Sequence, residues 1–412
     1  MSVHKTLLTT GALAASLALS GLSVPGAANA APDTGSSLTG STGSNPVFED
    51  SVEYYAGGLG AGYGSQTMAT GDFFHDGNQS VAATGVAGGV AILRGDGHGH
   101  LRRTQFIPTE IGANAVVAGD LRGTGNLDLV VSNQLSISIL FNDGNGHFTV
   151  DRVYSRDPNP NVTYRTGGLP VGVQLGDFNH TGHLDIAFNN IVPLPGAIGV
   201  MHNDGTGHFA EPQWLAAGLL RSTVLVRDVD NDGYDDVVTG DLGTTGFWVL
   251  VNDRNGGFLS PRWNLLPLPD EDLKVADMDG DGNADVVSAN VAAFSFAVMY
   301  GDGHGNFGPP QMTFGPIAPC AVAIGDFTGS GRMDIAAVQY APSTAVIYRN
   351  NGDRTFSYVE QHTVGLGGQA AAAVRLDNDR HDDVISMSMA SESVAVLRNR
   401  VPLNSDEGQQ DR

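Results

Sequence analysis

Positive charge is scarce in this chain. Its 412 residues carry 21 lysines and arginines against 44 aspartates and glutamates, a formal net charge of −23. Nucleic acids and anionic membranes are held by basic faces, so both are excluded as partners. Cysteine is nearly absent. Cys320 stands alone, which rules out an internal disulfide, and nothing around it in sequence supplies the base or positive field of a catalytic thiol. Long apolar runs are missing after the first 30 residues, so nothing there matches the roughly 20 residues of a membrane-spanning helix. No helical heptad pattern, Ser-His-Asp motif, His-rich zinc signature or glycine-rich phosphate loop is visible.

What is present divides into four parts. Lys5, the apolar stretch 7–22 and the small residues Ala28, Asn29 and Ala30 have the order of a secretory signal, predicted over residues 1–30 with cleavage near Ala30. A secreted or periplasmic protein is the expectation. Residues 31–45, rich in Gly, Ser and Thr, read as a flexible linker. A repeat array follows over residues 46–400, then a polar tail at 401–412. A secreted chain without disulfides needs other staples, and bound cations are the obvious substitute.

The array is built on one loop written seven times. Its clearest copies are DVDNDGYDD at 228–236 and DMDGDGNAD at 277–285. Others start at Asp72, Asp120, Asp177 and Asp326, and a damaged one covers 375–383. The starts recur about every 50 residues, the period of a propeller blade. Short Val/Ala/Leu/Ile runs flank each loop as strands, and a second motif, NDGNGHF at 142–148 with relatives at 203–209 and 301–307, supplies the glycines of a tight hairpin. The histidines of that motif, His98, His147, His208 and His304, sit one per unit and read as turn residues. Four antiparallel strands in each of seven units predict an all-β, seven-bladed β-propeller. The last unit lacks its fourth strand, while residues 47–55 resemble one, so the N-terminal strand is expected to complete the last blade and close the ring.

In the two clear loops, side chains at positions 1, 3, 5 and 9 and the carbonyl at 7 can converge on one point. Those are Asp228, Asp230, Asp232, Asp236 and the Tyr234 carbonyl, then Asp277, Asp279, Asp281, Asp285 and the Asn283 carbonyl. Carboxylates that close repel unless a cation joins them, and an all-oxygen donor set favours Ca²⁺ over zinc or copper. Asp177, Asn179, Thr181 and Asp185 form a less charged version, and Asp326, Thr328, Ser330 and Asp334 a weaker one. Phe74 and Arg122 take position 3 of the first two loops, and Arg375 takes position 1 of the seventh; these three are expected to be metal-poor, with arginine standing in for the metal in the seventh.

The pattern D-x-[DN]-x-D-G-x-x-D followed by N-D-G-x-G-x-F resembles the FG-GAP, or VCBS-type, repeat over residues 46–400. The resemblance implies an integrin-α-like propeller with calcium in the loop between the first two strands of a blade. It implies no single activity, because such propellers serve as adhesion receptors, as lectins and as parts of secreted enzymes. A ligand is expected on the face opposite the calcium loops, at the variable loops 156–170 and 189–196. Tyr164 and Arg165 offer an aromatic platform and an anion clamp, and Asn189, Asn190, Asp241 and Tyr340 lie in equivalent loops, with Asn133, Gln134 and Asn290 beside them. The expected function is a calcium-stabilised, monomeric binding or adhesion module for a glycan or a surface protein; the alternative is a polysaccharide lyase or hydrolase working at the channel mouth.

Overall fold

The computed structural model describes residues 47–57, 66–85, 87–155, 169–190, 198–217, 223–241, 245–266, 271–315, 317–377 and 379–400. Twenty-eight strands form seven four-stranded antiparallel sheets. Blade 1 runs Met68–Gly71, Ser80–Thr84, Val90–Gly95, Leu101–Ile107, and blade 2 runs Ala115–Gly119, Asp128–Ser132, Ser136–Asn142, Phe148–Ser155. Blade 3 holds Pro170–Gly176, Asp185–Asn190, Ile198–Met201 and Gln213–Leu215; blade 4 holds Val224–Arg227, Asp236–Asp241, Gly246–Leu250 and Arg262–Leu265. Blade 5 holds Asp272–Ala276, Asp285–Asn290, Ser295–Met299 and Gln311–Phe314; blade 6 holds Ala321–Gly325, Asp334–Gln339, Thr344–Asn350 and Phe356–Thr363. The Asp loops and the hairpins after the third strands lie at one end of the sheets. The loops between second and third strands, with the links between blades, lie at the other, called here the upper face.

Blade 7 is made from both ends of the array. Gly368–Val374, Asp383–Ser388 and Ser393–Leu397 are joined on the outside by Val52–Tyr55, paired antiparallel from Val52↔Val396 to Tyr55↔Ser393. The expected closure is therefore present. Phe48 bridges Asn399 as Phe209 bridges Asn203 in blade 3, so the N-terminal segment also brings the hairpin phenylalanine that the last repeat lacks. Glu360 of blade 6 fastens this segment: its carboxylate accepts the backbone N–H groups of Val47 (3.1 Å) and Phe48 (2.9 Å).

Alternate residues along a strand point to opposite faces, and in a propeller each face meets a different blade. Val81 packs toward blade 7 and its neighbour Ala82 toward blade 2. The apolar core is accordingly split into seven wedges, one per junction between blades, rather than gathered at the centre. Second strands such as Asp185–Asn190 and Asp334–Gln339 are buried along their whole length.

A polar ring accompanies the wedges. The residue after each loop's first position (Phe73, Leu121, Phe178, Val229, Met278, Phe327, Leu376) inserts its side chain into the core and turns its carbonyl toward the next blade. Five of these carbonyls accept a hydrogen bond from a buried asparagine amide: Asn142 on Phe73 (3.0 Å), Asn203 on Leu121 (2.8 Å), Asn252 on Phe178 (2.8 Å), Asn350 on Met278 (2.6 Å) and Asn399 on Phe327 (2.8 Å). Blades 5 and 1 carry glycine in the asparagine's place, and the backbone N–H groups of Gly305 and Gly99 bond Val229 (3.0 Å) and Leu376 (3.1 Å) instead. All seven junctions are thus pinned at one carbonyl. In Gly301 and Gly95 a Cβ would lie 2.2 Å from the Ala284 carbonyl oxygen and 2.0 Å from that of Gln79, which explains the glycines.

Candidate metal centre

In the first six loops the opening aspartate shapes the turn. Asp228 accepts the N–H groups of Asp232 (3.2 Å) and Gly233 (2.9 Å), and Asp120 does the same for Thr124 (3.0 Å) and Gly125 (2.7 Å). Gly233 has φ +89°, a left-handed conformation that L side chains adopt only with strain. The ninth position ties the blade together. Asp236 is fully buried, and its oxygens accept the N–H of Asn252 at the end of the third strand (2.7 Å) and that of Val229 (2.9 Å). Asp285 repeats this with Gly301 (2.8 Å) and Met278 (2.7 Å).

In two loops the carboxylates gather. Asp228, Asp230 and Asp236 offer oxygens within 4.8 Å of one another, and so do Asp277, Asp279 and Asp285. No other trio of metal-ligating side chains converges in this way among the described residues. Burial, with Asp230 and Asp228 adding repulsion, pushes the Asp236 carboxyl up to about 7. Burial beside Asp279 and Asp281 pushes Asp285 up to about 6. Asp230 is raised too, by burial and then by Asp232 and Asp228, and its Oδ1 is buried without a hydrogen-bond donor. Three carboxylates crowded around an oxygen that lacks a donor suit a hard cation in their midst.

The fifth-position aspartates stand apart from these trios. Asp232 accepts the Tyr234 N–H (2.8 Å) with one oxygen and Arg254 Nε (2.6 Å) with the other. Asp281 accepts the Asn283 N–H (2.8 Å). Asn231 of blade 4 donates to Asn283 of blade 5 at 2.7 Å, which joins the two loops side by side.

Protein cations reach the rim of both trio loops, Arg254 at Asp232 and Arg354 Nε at Asp279 (2.8 Å); the other loops have no trio among the described residues and hold an internal cation or too few charges. In the second, Arg122 lies on the buried Asp128 through two bonds (2.9 and 2.7 Å), stacks over Phe141 and donates to the Asn142 carbonyl. In the third, His202 Nδ1 lies 2.9 Å from Asp185 Oδ2 and 3.4 Å from the Asn179 amide, and this contact raises the imidazole pKa. His202 was invisible to loop-by-loop reading because it sits 17 residues beyond Asp185, at the end of the third strand. The fourth expected set shows Asp326 closing its turn on Ser330 and Gly331, and Asp334 accepting the Thr328 N–H (2.8 Å); it has two carboxylates. In the seventh, Arg375 bonds Asp382 (3.0 Å), which is not one of the set Asp377, Asp379 and Asp383. In the first, Asp76 is held by Arg94 (2.7 Å).

The expected ligand residues of the upper face are scattered in exposure. Asn189, Asn190 and Asp241 are buried, as are Asn133 and Asn290. Asn189 Oδ1 accepts the Gly172 N–H at 2.7 Å. Tyr340 remains exposed. Tyr164 and Arg165 lie outside the described residues. Cys320 is half-buried, its Sγ against the Val338 and Gly368 carbonyls, and burial pushes its thiol up to about 12.

A family model described as an FG-GAP-like repeat matches residues 120–188, 228–288, 277–337 and 326–386, together more than half of the chain. No curated protein matches by sequence. Among solved structures, that of BBS1N in complex with ARL6DN, soaked with lead, superposes with a TM-score of 0.60 at 12% identity, covering 84% of this chain and 95% of that one. An Agrocybe aegerita lectin, solved to explain its specific recognition of non-reducing terminal N-acetylglucosamine, superposes with a TM-score of 0.54 at 19% identity, covering 81% and 86%. At these identities the likeness is one of fold.

Proposed function

The chain belongs to the FG-GAP-like repeat family, and on that premise we propose that it is a calcium-stabilised binding propeller acting outside the cytoplasm. The observation that carries the metal half is the pair of carboxylate trios in neighbouring blades. Asp228, Asp230 and Asp236 would hold one Ca²⁺ and Asp277, Asp279 and Asp285 another, with the Tyr234 and Asn283 carbonyls and water completing the oxygen shells and Asp232 and Asp281 shaping the turns. The less charged sets at 177–185 and 326–334 are proposed to bind weakly or not at all, since His202 or a shortage of carboxylates replaces the ion. The signal at residues 1–30, the linker at 31–45 and the tail at 401–412 complete the proposed organisation of a secreted or periplasmic protein.

The binding half is supported by the character of the fold. A closed ring of buried strands offers its variable loops on a rigid frame, the arrangement recognition surfaces use. One neighbour in fold is a sugar-binding lectin and another is complexed with a protein, so a glycan or a surface protein is the proposed partner class.

Calorimetric titration of the EDTA-stripped protein with Ca²⁺ tests the metal. Two sites are expected, and at tenfold excess over Kd each adds about 1.4 kcal/mol to unfolding stability. Asp228→Ala and Asp277→Ala should each remove one site. A stripped protein that takes up no calcium and melts at the same temperature with and without it ends this reading. A glycan array and a cell-binding assay, each run with Ca²⁺ and with EDTA, test recognition; silence in all four arms counts against it.

A further inference from the structure

The upper face of blades 5 to 7 carries an oddity of backbone and exposure. After the short 3₁₀ turn Val291–Ala293, Phe294 adopts φ +53° and ψ +46°, the left-handed region. A bulky L residue meets steric resistance there, and glycine would adopt it freely. The same position in the next two blades is also left-handed, as Ser343 (φ +63°) and Glu392 (φ +52°). Yet the chain places at Phe294 a ring that is 56% exposed to water. The fold gains little from it, because the contacts that shape the loop run through its backbone: Phe294 donates its N–H to Val291 and accepts that of Gly315 (2.9 Å). A strained residue whose large apolar side chain is mostly exposed is a mark of function.

Phe294 is not isolated. Phe314, 68% exposed, ends the neighbouring strand in register with Ser295. One blade further, Tyr340 lies beside the turn that carries the 66%-exposed Leu366, since a Cβ on the adjoining Gly367 would fall 3.3 Å from its ring. Acidic groups outnumber cations around them, Lys274 being paired with the buried Asp272 and Arg103 lying over Tyr55. Glu271 sits at the start of blade 5, its N–H bonded to Ala289, and Glu392 and Glu53 lie at blade 7. The upper segments 290–295, 314–321, 339–344, 363–369 and 388–393 contain no lysine or arginine.

We propose that Phe294 anchors a protein-docking surface on the upper face of blades 5 to 7, and that its partner presents apolar side chains flanked by lysine and arginine. The inference rests on the binding-module reading and names the partner's chemistry. Charge decides among occupants. A second copy of this chain would bring −23 to an acidic face, and an anionic membrane would be repelled, whereas a basic, apolar segment satisfies both features at once. Large exposed aromatics in a cluster are also the residue type that dominates the energy of protein interfaces.

The test uses the calcium-loaded full chain and a phage-displayed library of random peptides, with Phe294→Gly as counter-selection. That variant relieves the left-handed strain, so it should melt at or above the wild-type temperature. The enriched peptides, synthesised and measured by fluorescence anisotropy, should carry an apolar residue flanked by Lys or Arg. They should bind the wild type roughly tenfold or more tightly than Phe294→Gly, and should weaken as salt is raised. Phe314→Ser should show a similar loss. Peptides that bind wild type and Phe294→Gly alike overturn the surface while leaving a binding module intact. Failure to enrich any basic, apolar sequence overturns it as well, and if the glycan and cell-binding assays are silent too, the binding reading falls with it. Phosphatidylcholine vesicles that retain the wild type but not Phe294→Gly, or a Phe294-dependent dimer in sedimentation, give the surface to lipid or to a second copy and overturn the proposal.

Discussion

Asn142→Ala should be among the most damaging single changes to a polar residue in the molecule, although it touches no candidate ligand site. The side chain is 1% exposed. Its Nδ2 donates to the Phe73 carbonyl of blade 1 (3.0 Å) and to that of Leu127 (3.2 Å), and its Oδ1 accepts the N–H groups of Gly144 (3.0 Å) and Gly146 (3.1 Å). Alanine strands all four backbone groups. At about 1 kcal/mol net for each lost bond, less where water can reach the hairpin, the expected cost is roughly 3–4 kcal/mol. Guanidinium unfolding followed by far-UV circular dichroism, with wild type and variant both in calcium, should show a lower midpoint at an unchanged slope. Asn142→Asp keeps the acceptors but turns an anion toward two carbonyls, so at pH 8 it should fare no better than alanine. A variant within about 0.5 kcal/mol of wild type would refute the idea that these amides pin one blade to the next.

Removing the internal cation of the second loop by Arg122→Met leaves Asp128, fully buried, without its partner; a loss of about 3–5 kcal/mol is expected in the same assay, with much of it recovered in Arg122→Met/Asp128→Asn. Burial lifts the Asp383 carboxyl to about 7 in the fold, above its ordinary value, so the native state keeps a proton that the unfolded chain releases. Its contribution is most favourable below about pH 4 and falls as pH rises to about 7, by at most about 4 kcal/mol. Asp383→Asn should flatten that stretch of the stability–pH curve relative to wild type; parallel curves would contradict the assignment. Glu360→Ala should cost about 2 kcal/mol by freeing the N–H groups of Val47 and Phe48, and should make residues 47–55 the first site of limited proteolysis.

The architecture was legible because the repeat states it seven times. Spacing gave the blades, and the truncated last repeat gave the closure by residues 47–55. The carboxylate trios were legible in outline, since aspartates two and eight positions apart in a tight loop must come close. The fifth-position aspartates turn to Tyr234, Asn283 and Arg254 in the folded loops, and only a folded turn shows which way a carboxylate faces. The cations of the second and third loops illustrate a second limit. Arg122 lies within the loop motif, but its choice of Asp128 depends on the ring of Phe141 beneath it, and His202 arrives from another strand. Burial of Asn189, Asn190 and Asp241 followed a similar logic: positions that read as loop residues in sequence are the buried last residues of second strands. The asparagine of N-D-G looked like a hairpin residue, and half of its work, reaching the carbonyl of the preceding blade, crosses a junction that no local motif describes.

The seam in blade 7 has a consequence for how the molecule is made. Glu53 and Ser393 touch across 340 positions of sequence, so the strand Val52–Tyr55 leaves the ribosome long before its partner Ser393–Leu397 exists. At about 5–20 residues per second that gap lasts roughly 20–70 s. Throughout it an early strand with open hydrogen-bonding edges must stay unpaired or pair wrongly. The ring therefore has a birth order: six blades can assemble as they emerge, and the seventh waits for residues 393–397. Whatever shields residues 47–55 during that interval governs the yield of closed propeller, independently of how stable the finished ring is.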